Sequence, residues 1–226
     1  MSPLLQAFKV EKNVQCADRP ITVDEFLALF DEDMCAELID GTVVFDMAAR
    51  FDHEALTVFL LSLLKIYAEG RDLGIVLGSR SLVQVDPYTG LIPDVLFISS
   101  DRMDIIRDTK IVGPPDLVVE IISPGESPPD VIRKQVKYER AGVRELWVID
   151  RPRGEVRAFL LGEDGRYRRM EIEGGVLRSE VVEGFWLRTD WLLADPNDMP
   201  KTLDALEEIG GRSGRNAKRD EKEEVR

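Results

Sequence analysis

The sequence predicts an α/β domain, a mixed central sheet flanked by helices and followed by a C-terminal antiparallel meander. Three observations lead there. Apolar runs of strand length alternate with helix-patterned segments. The stretch Ser127 to Gly142 carries both the start and the stop signal of one helix. The last third is a series of short apolar runs separated by glycine-containing turns. With 226 residues, 44% hydrophobic and 32% charged, the chain has material for a real core under a densely charged surface.

Residues 1–20 show no clean period and read as an N-terminal arm. The domain proper is expected over residues 21–200. Thr22-Val23-Asp24-Glu25 is a capping box, in which the Thr22 and Glu25 side chains satisfy each other's free amides, and a short helix follows to about Phe30. Glu37 to Phe45 reads as two strands joined at Asp40-Gly41, a dipeptide that accepts the positive φ values of a tight hairpin. Asp52 to Glu69 is an apolar helix. Ile75 to Asp86, Leu91 to Ile98 and Asp116 to Ser123 follow as strands. Ser127-Pro128-Pro129-Asp130 then supplies an N-cap serine, a proline at the first helical position and an acid at the third, and Gly142 the left-handed stop, so a helix spans Pro128 to Ala141. Arg144 to Asp150 is a buried strand; Val156 to Leu161, Tyr167 to Ile172 and a segment near Trp186 form the meander. Residues 201–226 are a charged tail with too little apolar surface to order itself.

Composition removes several classes of chemistry. Cys16 and Cys35 form no C-x-x-C pair, so a disulfide framework and a thiolate zinc site are out of reach, and the expected compartment is the cytoplasm. The chain has one histidine, His53, which rules out multi-histidine metal centres. Neither a nucleophile elbow nor a P-loop occurs. Ala55 to Leu64 is the most apolar run and is half the length needed to span a bilayer. The formal charge of −13 argues against broad contact with phosphate, except that Asp130 to Arg144 holds five basic residues against two acidic ones.

What remains is carboxylate and lysine chemistry. Glu120 sits inside the most apolar strand, on the face of Val118 and Ile122, and Asp94 shares a face with Ile92, Leu96 and Ile98. An ionised carboxylate buried without a partner costs several kcal/mol. The helix after Glu120 supplies a cation, because Asp130, Lys134 and Tyr138 recur every four residues on one face. Two acids and a lysine suit a hydrolase using Mg²⁺. The bland readings are a turn aspartate at Asp94, a structural Glu120–Lys134 pair, a strand-edge acid at Glu37, and packing or surface roles for His53 and Tyr138.

Taken together, Glu37-Leu38-Ile39-Asp40-Gly41, His53 opening the apolar helix, Pro93-Asp94, Pro115 to Pro124, Asp130-x-x-x-Lys134-x-x-x-Tyr138, Ala141-Gly142-Val143 and Trp147-x-x-Asp150 resemble the PD-(D/E)XK nuclease superfamily and, within it, the Uma-type restriction endonuclease family. The resemblance covers about Ile21 to Trp191. It implies a restriction-endonuclease-like core and Mg²⁺-dependent hydrolysis of DNA, with Mn²⁺ able to substitute, and a homodimer. It further implies Asp94, Glu120 and the Ile121 carbonyl as metal ligands, Glu37 as an outer acid and Lys134 as the catalytic lysine. One departure stands out: the superfamily lysine lies two residues after the acid, where this chain has Ile122. Two other classes remain open, a non-catalytic module that keeps the fold and a metal-dependent hydrolase of small phosphorylated molecules.

Overall fold

In the computed structural model, which describes residues 9–11, 14–16, 19–29, 36–45, 50–78, 80–124 and 126–210, two sheets stack against each other and against helices. The segment expected as an arm contributes a hairpin, β1 (Lys9–Glu11) and β2 (Val14–Cys16), to a sheet edge. α1 (Val23–Leu29) opens with the reciprocal capping bonds: Thr22 N–H donates to Glu25 Oε2 at 2.9 Å, and Glu25 N–H to Thr22 Oγ1 at 3.2 Å. β3 (Ala36–Ile39) and β4 (Thr42–Phe45) meet at Asp40 and Gly41, with φ of 51° and 75°. A Cβ at Gly41 would stand 2.4 Å from Pro20 Cβ, so both conformation and space require glycine.

α2 (Phe51–Glu69) buries Leu56, Phe59, Leu60, Leu63, Leu64 and Tyr67, the three-and-four spacing of one helix face. β5 (Gly74–Gly78), β6 (Val83–Asp86), β7 (Thr89–Leu91) and β8 (Val95–Ser99) come next. Here the structure corrects two expectations. The stretches Ile75 to Asp86 and Leu91 to Ile98 are not single strands; each divides between the two sheets, β5 and β8 in one, β6 and β7 in the other. The second break falls at Pro93, which has no N–H for a ladder. The preceding N–H, that of Ile92, goes to Glu37 instead.

β9 (Ile111–Val112), β10 (Leu117–Ile121), α3 (Pro128–Ala141) and β11 (Glu145–Asp150) follow, and β10 and β11 pair in parallel with α3 as the crossover. Then come β12 (Glu155–Leu161), β13 (Tyr167–Arg169), β14 (Val176–Arg178), β15 (Trp186–Arg188), α4 (Thr189–Leu193) and α5 (Thr202–Glu208). The strand orders are β1-β2-β4-β3-β7-β6-β9 and β13-β12-β11-β10-β8-β5. β14 and β15 form a ribbon of their own rather than continuing the meander.

α5 lies beyond the expected boundary at residue 200. Ala205, Leu206 and Ile209 are buried in the α2-side core, so the ordered domain runs to at least Gly210. Residues 211–226 of the expected tail lie outside the described residues. Among the described residues no helix is long and apolar enough to cross a membrane.

Strand alternation decides what faces what. Val119 and Ile121 of β10 join the α2 core, whereas Val118 and Ile122 join a second core with Tyr138 and Val131 of α3 and with Ile39, Val83 and Leu91 of the other sheet. The six-stranded sheet is thus covered by α2 on one face and by α3 and the seven-stranded sheet on the other.

Candidate active site

Glu120 points to the α3 side of β10, one step along from the apolar Val118. Lys134 and Tyr138 stand one helical turn apart opposite it. Tyr138 Oη donates to Glu120 Oε1 at 2.5 Å, and Lys134 Nζ lies 3.4 Å from Glu120 Oε2. The same ammonium lies 2.9 Å from Oε2 of Glu37, whose side chain is 2% exposed. Glu37 Oε1 accepts the Ile92 N–H at 2.8 Å, which fixes the carboxylate between β3 and the loop before β8.

Asp94 lies immediately before the neighbouring strand, β8. β8 and β10 pair antiparallel with Leu117 opposite Phe97 and Val119 opposite Val95, and continuing this register sets Asp94 opposite Glu120. Asp94 Oδ2 accepts the Ile121 N–H at 2.7 Å. Its other oxygen, Oδ1, lies 3.3 Å from His53 Nε2, and that nitrogen is also 3.1 Å from the Ile121 carbonyl oxygen. With an acceptor on each side, Nε2 carries a proton and donates. Glu37, Asp94, Glu120, Ile121 and Lys134, five positions on four separate elements, therefore meet in one place.

Three residues join them that were not among the expected site residues. His53, expected as a surface or packing residue, contacts Asp94 and Ile121; its place at the first turn of α2 beside an acidic site could have raised it. Tyr138, expected in a packing or surface role, bonds Glu120. Glu126, in the loop before α3, lines a cavity of about 10 Å³ with Glu120, Lys134 and Tyr138, room for about one water. No local pattern marks Glu126, since only the return of the loop over the sheet brings it near.

The electrostatics follow from many acids around few cations. Burial pushes the Glu120 carboxyl up, against the lowering pull of Lys134. Burial works to lower the Lys134 ammonium, but Glu120 and Glu37 outweigh it and hold its pKa well above the ordinary lysine value. For His53, burial lowers and the Asp94 carboxylate more than offsets, so the ring is raised. Burial also raises Glu126. Glu37, Asp94, Glu120 and Glu126 thus face one lysine and one histidine.

The donor chemistry suits a hard divalent cation, because Asp94, Glu120 and the Ile121 carbonyl offer oxygen ligands within an excess of negative charge. They are not poised for it as they stand. Both Glu120 oxygens face Tyr138 and Lys134, His53 occupies the approach to Asp94 Oδ1 and the Ile121 carbonyl, and no group of three or more His, Cys, Asp or Glu among the described residues is arranged to hold an ion.

The basic face expected along α3 is largely engaged. Arg133 pairs with Asp40 at 2.7 Å, Lys137 with Asp40 and with Asp86 at 3.1 Å, and Arg144 with the buried Asp116 at 3.3 Å. Lys134 points inward, so four of the five basic residues counted between Asp130 and Arg144 are paired with acids of the fold.

Comparison with known proteins agrees with this architecture. No curated protein matches the chain. The crystal structure of a putative nuclease belonging to DUF820 from Anabaena variabilis matches with a TM-score of 0.64 at 20% identity, covering 77% of this chain and 98% of that one, which establishes a shared fold. Residues 23–190 match the family described as Uma2, putative restriction endonuclease. The chain belongs to the Uma2 family.

Proposed function

We propose that the chain is a divalent-cation-dependent endonuclease that hydrolyses phosphodiester bonds in DNA. The observation that carries this reading is the surplus of carboxylates, Glu37, Asp94, Glu120 and Glu126, gathered around a single lysine where β3, β10, the start of β8 and α3 meet. Asp94, Glu120 and the Ile121 carbonyl would hold Mg²⁺ or Mn²⁺. When bound, such a cation supplies Lewis acidity, making water a better nucleophile and offsetting the charge of the phosphate.

The residues divide the remaining work. Lys134, held between the Glu37 and Glu120 carboxylates, would serve as a positive charge for the phosphate or as a donor that orients water. Glu37 orients Lys134, and Tyr138 orients Glu120. His53 holds Asp94 and the Ile121 carbonyl together until the ligands are required.

A non-catalytic module of the same fold is the second reading, favoured by the closed Glu37–Lys134–Glu120 arrangement. Thermal melts separate the two. Wild type is expected to rise in Tm with Mg²⁺ or Mn²⁺, by the equivalent of about 2.7 kcal/mol at about 100 times the dissociation constant, and Asp94→Ala to lose the rise together with nicking of supercoiled DNA. No shift in either protein over millimolar metal, with no nicking, supports the module.

A further inference from the structure

We propose that the outer edge of β5 pairs antiparallel with β5 of a second copy of this chain, about a two-fold axis at Val76, so that the two six-stranded sheets join into one. β5 closes its sheet on the side away from β13. Its inner side is paired throughout with β8, from Gly74 opposite Ser99 to Gly78 opposite Val95. Among the described residues no strand pairs with its outer side, and no hydrogen bond from another element reaches the outward backbone groups of Ile75, Val76 or Leu77. Free N–H and C=O groups along such an edge are a template for another strand.

The other sheet ends are guarded and this one is not. At the far end of the same sheet, β13 carries the exposed Arg168 and Arg169. In the seven-stranded sheet the end strands β1 and β9 are three and two residues long. Charge and short length both discourage pairing with another chain. Gly74-Ile75-Val76-Leu77-Gly78 has five residues, all uncharged, with no proline and no break in register.

Self-complementarity identifies the occupant. Centred on Val76, antiparallel pairing sets Ile75 opposite Leu77 and Gly74 opposite Gly78, the same in both halves, as a two-fold contact requires. Ile75 and Leu77 share one face of the strand and are only partly buried beside the second core, so each cross-strand pair would cover apolar surface that one copy leaves open. Charge agrees with this direction. Asp72 lies in the turn entering β5 and Arg80 in the turn leaving it, and both are exposed. Antiparallel pairing brings the Asp72 end of each copy to the Arg80 end of the other, whereas parallel pairing would bring Asp72 to Asp72. The chain's own terminus suits the edge less well, since residues 211–226 hold ten charged residues and one β-branched residue, Val225. In the joined sheet α2 lies on the same face in both copies, and the two Glu120 side chains lie on the opposite face.

The test is sedimentation velocity of the full chain from low to high micromolar concentration, with hydrogen exchange of the β5 amides at both ends of that range. Wild type is expected to pass from monomer to dimer, with β5 protection rising as the dimer fills. Arg80→Glu should raise the dimer Kd roughly ten-fold or more by setting like charges at both ends of the contact, and Asp72→Lys combined with Arg80→Glu should restore it. Leu77→Lys, which adds a guarding charge to the edge, should weaken the dimer as well. Because Leu77 packs in part against the core, the exposed pair keeps the test clear of folding, which a thermal melt of each variant checks. A monomer at every concentration, a dimer unchanged by Arg80→Glu, or a double variant no tighter than Arg80→Glu overturns the proposal. Metal-dependent nicking is scored separately and bears on the nuclease reading alone.

Discussion

Lys134 illustrates how one side chain carries two obligations. Its ammonium lies 2.9 Å from Glu37 and 3.4 Å from Glu120, with 15% of the side chain exposed. Removing it leaves two buried carboxylates facing each other across the space it filled. Breaking a buried pair by deleting one partner costs about 3 kcal/mol or more. Lys134→Ala is therefore expected to lower the urea midpoint by an amount equivalent to about 3 kcal/mol and to abolish DNA cleavage in the fraction that remains folded. Measuring both on one preparation separates the roles: full cleavage by a destabilised but folded variant would leave Lys134 a purely structural residue.

At the scale of elements, α3 is the piece whose ends are set by local chemistry. The Ser127 hydroxyl caps its start by accepting from the Asp130 N–H at 3.4 Å, and Gly142 ends it at φ 92°. Both signals sit within a few residues of what they control, which is why the helix reads from the sequence at its observed bounds, Pro128 to Ala141. A Cβ on Gly142 would meet nothing closer than Pro114 Cγ at 3.8 Å. Gly142→Ala should therefore cost only the left-handed conformation, about 1 kcal/mol, and Gly142→Asn less, as read from thermal or urea unfolding; a larger loss would mean the turn moves. Partners that are distant in sequence were not legible in this way. The alternation of β10 marked Glu120, and an apolar strand marked Asp94, yet no local pattern shows that the chain changes sheets before Val83 and again at Pro93. His53 and Glu126 escaped for the same reason, since their roles come from atoms of Asp94, Ile121 and Lys134 that only the folded chain brings to them.

At the scale of the whole molecule, several buried acids are paired with cations, and Asp116 is the clearest case. It is fully buried and accepts from Ser99 N–H at 2.9 Å, Ser99 Oγ at 2.9 Å, Arg102 at 2.8 Å and Arg144 at 3.3 Å, joining the end of β8, the segment after it and the entry to β11. Burial works to raise its carboxyl, but the Ser99 and Arg102 bonds outweigh it and hold the pKa below the ordinary 3.8. A carboxyl whose folded pKa lies below its unfolded one contributes stability that is fully present above the unfolded value and is lost as pH falls through the folded value. The wild-type protein is therefore expected to lose stability as pH drops below about 4. Asp116→Asn keeps the shape but removes the charge that Arg102 faces, so its urea midpoint should be lower at neutral pH and flatter across the acid range. A variant whose midpoint follows the wild-type curve at every pH would show that this network does not hold the three elements together, and that acid unfolding starts elsewhere.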